Sequence, residues 1–227
     1  MPMKGSGTAD LREIDRHDHG VGWLAYPNEQ MQRASHAVTH DGDIWVLDPV
    51  DVDGVDDLLA ELDGEVAGVV TCLDRHKRDA DAVARRHDVP VYVPEWMTGV
   101  APEMEAPVER FGRQLVDGVR AIRVRDSSIP PWQEVALLFE SSGTLYVAES
   151  LGNAEYMVVN AEPLGVHPML RLTPPRTALS GLDPEHVVVG HGIGVHERAA
   201  DAVREALSSS RGNTLSLYGK TVKSLLT

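Results

Sequence analysis

The chain has 227 residues, 42% of them hydrophobic, and a formal net charge of −14 from 35 acidic against 21 basic side chains. That length and apolar content suit one α/β domain with a sizeable core, while the charge disfavours non-specific binding to nucleic acid or an anionic membrane. No apolar run approaches the roughly 20 residues that span a bilayer, and the first 20 residues lack the apolar stretch of a secretory signal, so a cytoplasmic location is expected.

Residues 1–20 are polar and are expected to be a flexible N-terminal segment, leaving 21–227 as a single domain. "VGWLAYP" (21–27) reads as a first strand. "SHAVTH", "DGD" and "IWVLDPV" (35–50) predict two strands around a tight turn, because Asp-Gly between β-formers favours a hairpin. In "VDDLLAELDG" (55–64), Val55, Leu58, Leu59 and Leu62 recur at helical spacing, with Gly64 placed to end the helix. "EVAGVVTC" (65–72) is a fully apolar strand, "HKRDADAVARRHD" (76–88) an alanine-rich helix, and "VPVYVPE" (89–95) another short strand.

The second half is richer in hairpins. "ERFGRQLVDGVRAIRVRD" (109–126) predicts short strands around Asp117-Gly118, and "EVALLFE" (134–140) with "TLYVAES" (144–150) a further hairpin. A proline-rich loop (163–184) leads into "HVVVGHGIG" (186–194), a strand running into glycines. Helices follow over 196–207 and 214–226. Two hairpin-rich sheets, each with helices attached, predict a four-layer αββα sandwich.

The candidate chemistry sits where an apolar strand ends. After Thr71 come Cys72, Asp74, His76 and Asp79 within eight residues, all of types that can bind a metal. The bland alternative is a solvated turn in which Asp74 caps a helix starting near Arg75 or His76. Cys72, the only cysteine, excludes an internal disulfide; as a nucleophile it would need a thiolate beside a base such as His76 or His191. "GHGIG" ahead of a helix could cradle an anion. His36 or His40 could line the same mouth. Trp23, Trp45, Trp96 and Trp132 read as core or rim packing.

Four pieces in order carry a resemblance. "IWVLDP" (44–49), "VVTCLDRHKRDA" (69–80), "EVALLFESSGTLYVAES" (134–150) and "VVVGHGIG" (187–194) resemble successive site-bearing segments of the metallo-β-lactamase-fold superfamily, over roughly residues 35–208. In that comparison Cys72 stands at the first loop histidine, Asp74 at the second, His76 at the loop aspartate and Lys77 at the last histidine. The inter-strand histidine is absent, with Pro130 about there; Glu149 replaces a bridging aspartate, and His191 is unchanged. "DRHKRDA" is also similar to a divergent branch whose loop reads Asn-Arg-His-His-x-Arg-Asp-Ala, with His76, Arg78 and Asp79 in register.

The resemblance implies a metallo-β-lactamase-like αββα fold with a degenerate metal loop. It implies a hydrolase of a small ester or thioester using one divalent metal (zinc, iron or manganese) held by His76, Glu149 and His191, with Asp74 as a fourth ligand or the catalytic base. A charge on Lys77 near that site would repel the ion. The alternative is an inactive member of the fold, without metal, that binds a ligand or partner. The acidic, lysine-poor and phenylalanine-poor composition resembles cytoplasmic proteins of salt-in halophiles.

Overall fold

A computed structural model describes residues 2–5, 9–159 and 161–225, excepting the side chains of 220–225. The larger of its two main sheets is seven-stranded, in the order β1 (Arg12–His17), β2 (Gly20–Leu24), β3 (Ala34–His40), β4 (Asp43–Leu47), β5 (Glu65–Val70), β6 (Val91–Pro94) and β7 (Val108–Phe111). The first four strands are antiparallel and β4 to β7 run parallel. The second sheet orders β13 (His186–Val189), β10 (Thr144–Val147), β9 (Pro131–Phe139) and β8 (Val119–Ser128). Here β10 and β13 are parallel and the hairpins antiparallel. A small ribbon joins β11 (Leu151–Gly152) to β12 (Gly165–Val166).

Helices α1 (Val55–Ala60) and α2 (Ala80–His87) follow strands of the first sheet, and α2 packs on β5 and β6. On the second sheet, α3 (Arg176–Leu179) packs on β8 and α4 (Ala199–Ser209) on β13. Helix α5 (Thr214–Leu225) follows; the expected end of that helix at 226 lies outside the described residues. Trp23, Trp45, Trp132, Tyr146, Phe139 and Leu137 are fully buried between these layers, each removing a large apolar surface from water. The architecture is the αββα sandwich predicted from the hairpin count.

Several local expectations are corrected. The strand at Arg12–His17 lies inside the segment expected to be flexible: its backbone pairs with β2, so polarity did not prevent a sheet-edge role. The helix expected over 76–88 begins only at Ala80, because Arg78 has a φ of 41° and Asp79 is also non-helical. Asp74 therefore caps nothing. Helix α1 stops at Ala60, with Glu61 as its C-cap, short of Gly64. The Asp41-Gly42 turn is as read, both residues having positive φ (51° and 87°), which suits a two-residue hairpin.

Candidate metal centre

The carboxyl ends of β4, β5, β10 and β13 deliver Asp48, the 72–79 loop, Glu149 and His191 to one edge of the sandwich. His76, Glu149 and His191 are buried, and one donor atom from each lies within 4.8 Å of the others. Among the described residues no other three His, Cys, Asp or Glu side chains converge in this way. The imidazole rings of His76 and His191 are 5.3 Å apart, with Nε2 facing Nε2 at 3.3 Å.

The partners of the two outer nitrogens decide which nitrogen carries the proton. His191 Nδ1 lies 2.9 Å from the carbonyl of Met31, which can only accept, so Nδ1 is the N–H. Backbone pairing of Arg33 with His191 and Ala34 with Gly190 brings that carbonyl into place. His76 Nδ1 lies 3.0 Å from Asp48 Oδ2 and donates to it. Both Nε2 atoms are then bare lone pairs pointing at each other. Neither ring relieves this by protonation: burial, more than any neighbouring charge, holds both well below the usual histidine range. A cation between two such lone pairs and a carboxylate resolves the conflict, so the donor set fits a divalent metal.

Asp48 accepts two further hydrogen bonds, from the Cys72 backbone N–H at 2.8 Å and the Tyr146 hydroxyl at 2.7 Å. Burial raises its carboxyl to about 6, which leaves it ionised at neutral pH. Glu149 is raised to about 7, mainly by burial, with Arg75 pulling the other way. Its Oε2 lies 2.6 Å from Arg75 Nη2, close but off the hydrogen-bonding direction, and its Oε1 is 3.9 Å from His191 Nε2.

Residues not foreseen in the sequence complete the site. Buried Glu134 accepts the backbone N–H groups of Glu149 and Ser150, each at 2.9 Å, and the Trp132 indole N–H at 2.7 Å. It therefore holds the turn that carries Glu149. The legible signal was a carboxylate directly preceding the apolar run Val135–Phe139. Arg78 donates to the carbonyls of Ala34, Asp48 and Gly190 at 2.6, 2.8 and 3.0 Å, tying strand ends of both sheets together. His167 packs edge-on to Trp132 and lies 3.8 Å from Glu149 Oε1, while the Tyr156 ring approaches both His167 and His191.

Other candidates fall elsewhere. Asp74, expected as fourth ligand or base, is not brought to the three: its N–H bonds the Gln133 carbonyl and its carboxylate meets Arg75 at 3.1 Å. Lys77, expected to repel an ion, reaches away to Glu103 at 2.6 Å. Cys72 is fully buried, and burial pushes its thiol well above the usual range, which opposes a thiolate nucleophile. His36 is tied up by the Val189 carbonyl and His40 by that of Asp117. The glycine loop does cradle an anion, but an internal one: Gly194 N–H bonds both oxygens of Asp15, at 2.8 and 2.9 Å.

Comparison with known proteins bears on the fold. No protein-family model matches the chain, and no curated protein matches it. Solved structures do. The metallo-β-lactamase DIM-1 superposes with a TM-score of 0.60 over 88% of this chain and 98% of its own, at 13% identity. VMB-1 gives 0.61 over 90% and 99%, at 11% identity. The metallo-β-lactamase FIM-1 from Pseudomonas aeruginosa, in its mono-zinc form, gives 0.58 over 88% and 96%, at 8% identity. The chain has the metallo-β-lactamase fold. No described helix is long and apolar enough to cross a membrane.

Proposed function

We propose that the protein is a mononuclear, metal-dependent hydrolase of a small ester or thioester, with His76, Glu149 and His191 holding the ion. The observation that carries this is the pair of unprotonated Nε2 atoms 3.3 Å apart, their tautomers set by Asp48 and Met31. A divalent ion in such a site supplies Lewis acidity toward a carbonyl oxygen and lowers the pKa of water. Zinc, iron(II) and manganese all suit two imidazoles and a carboxylate. The family's metal loop is degenerate here, reused for one ion rather than two.

The chain's own groups prepare the rest. Asp48 and the Met31 carbonyl orient the two rings, and Glu134 positions Glu149. His167 Nδ1 accepts the Met169 N–H at 3.3 Å, so its Nε2 is the N–H facing Glu149. Burial lowers His167 to about 4, so the ring stays neutral and offers a hydrogen-bond donor at the mouth. The Trp132 and Tyr156 rings both stand edge-on to that imidazole. Asp74 is not needed in this scheme.

A second reading, an inactive ligand-binding member of the fold, draws on one observation: Arg75 already pairs with Glu149 and stacks on Trp132, its guanidinium carbon 4.2 Å from the ring centre. Elemental analysis of protein purified without chelator, with hydrolysis assays on short-chain esters and thioesters, separates the two. One metal per chain and metal-dependent turnover support the hydrolase. Metal-free protein that neither binds added zinc, iron or manganese nor hydrolyses these compounds supports the second reading.

A further inference from the structure

Five of the seventeen arginines fall between residues 109 and 126: Arg110, Arg113, Arg120, Arg123 and Arg125. Only Glu109, Asp117 and Asp126 oppose them there, so this stretch is net positive in a chain of net charge −14. Among the described residues eight of the twelve arginines elsewhere meet a carboxylate closely, such as Arg33 with Glu29 at 2.8 Å, Arg86 with Asp51 at 2.7 Å and Arg171 with Glu162 at 2.7 Å, whereas Arg12, Arg78, Arg176 and Arg211 do not. By contrast, Arg120 stands 4.0 Å from Glu140 and Arg123 3.6 Å from Asp126. Among the described residues Arg113 has no carboxylate at ion-pair distance.

Arg113, Arg120 and Arg123 line one cleft of about 840 Å³ near the edges of β7 and β8. That is the size of a small-molecule site. Trp96 forms a wall, with the Arg123 guanidinium carbon 4.7 Å from its ring centre, and Val135 and Ala121 add apolar surface. Glu95 is the single carboxylate in the lining. No residue of the candidate metal centre takes part: along β9, Val135 faces this cleft while neighbouring Glu134 turns to Glu149, as strand alternation requires.

We propose that this cleft is a second binding site, for a small organic oxyanion carrying two or more negative charges as phosphate or carboxylate groups. Incompletely neutralised guanidinium groups match such anions in fork geometry, and cations set in a strongly acidic surface confine anion binding to this place. Arginine on edge strands can also serve only to discourage strand pairing with another chain, but that role requires neither a cavity nor a shared tryptophan wall.

Trp96 is the one partly exposed tryptophan, so its fluorescence reads the cleft. Inorganic pyrophosphate and succinate are titrated at constant ionic strength, into the native chain and into His191→Ala so that metal chelation is not mistaken for binding. A saturable change is expected with at least one probe in both backgrounds. It should weaken about tenfold or more in Arg113→Ser/Arg120→Ser, since each lost charge-assisted bond is of that order. The exposed Gln114→Glu should weaken it without removing an arginine. Response to pyrophosphate alone assigns the site to phosphates, and response to succinate extends it to carboxylates. No saturable change with either, or undiminished binding in a folded double variant, overturns the proposal and leaves the arginines as guards of the edge strands.

Discussion

Asp48 Oδ2 receives two donors at once, His76 Nδ1 at 3.0 Å and the Tyr146 hydroxyl at 2.7 Å, while its Oδ1 receives the Cys72 N–H. Three donors converge on one buried side chain that must supply only acceptors. Asp48→Asn puts an amide NH₂ against at least one of them. We expect a loss of roughly 1–3 kcal/mol of stability from the unmatched buried donors. We also expect metal affinity about 10- to 100-fold weaker, because His76 loses its orienting partner. Thermal unfolding and competition with a chromophoric chelator measure the two effects; full metal affinity in a folded variant would show that Asp48 does not orient the ligand.

His191→Ala removes one of three donors with no spare group among the described residues to replace it, and should abolish binding of the single expected metal. Asp74→Asn should leave metal content unchanged, since Asp74 is directed to Arg75. Metal stoichiometry of both variants checks this. Two tightly bound ions per native chain, or undiminished binding in His191→Ala, would place the metal chemistry on other residues.

At the opposite end of β13, His17 stacks on His186 at 4.4 Å, and His186 Nδ1 meets His196 Nδ1 at 3.1 Å. Burial first, and the neighbouring histidines next, lower His17 to about 4; His186 is lowered in the same direction, with Asp18 and Glu185 opposing. A histidine depressed in the folded state binds protons less readily than in the unfolded chain, so stability is lost as pH falls from the unfolded value near 6.5 toward 4. The thermal midpoint of His17→Gln should fall less steeply than that of the native protein across this window. Parallel profiles would remove the cluster from the pH response.

The −14 charge with only four lysines makes the compact state repel itself when unscreened. Between about 0.1 M and 2 M KCl the Debye length contracts from about 10 Å to a few ångströms. The thermal midpoint is therefore expected to rise substantially over that range. A flat profile counts against adaptation to high salt.

What the sequence determined by itself was much of the order of strands and helices, β1 and α3 excepted, and the choice of His76, Glu149 and His191 as candidate donors. Apolar periodicity and Asp-Gly or Gly-rich punctuation are local signals, and the strands of "VVTC" and "HVVVGHG" end just before the segments that carry His76 and His191 whatever the rest of the chain does. Tertiary structure decided the roles. Asp74 and Lys77 carry the right chemistry at the right loop, yet the positive φ of Arg78 and the late start of α2 leave them facing Arg75 and Glu103. Glu134, His167 and Arg78 act through partners far away in the chain, as Glu134 does on Glu149 and Arg78 on Ala34 and Gly190. The protonation of the two histidines depends on Asp48 and a carbonyl 160 residues from His191. Local sequence encodes which donor atoms exist, whereas burial and long-range hydrogen bonds set where they point and which of them hold a proton.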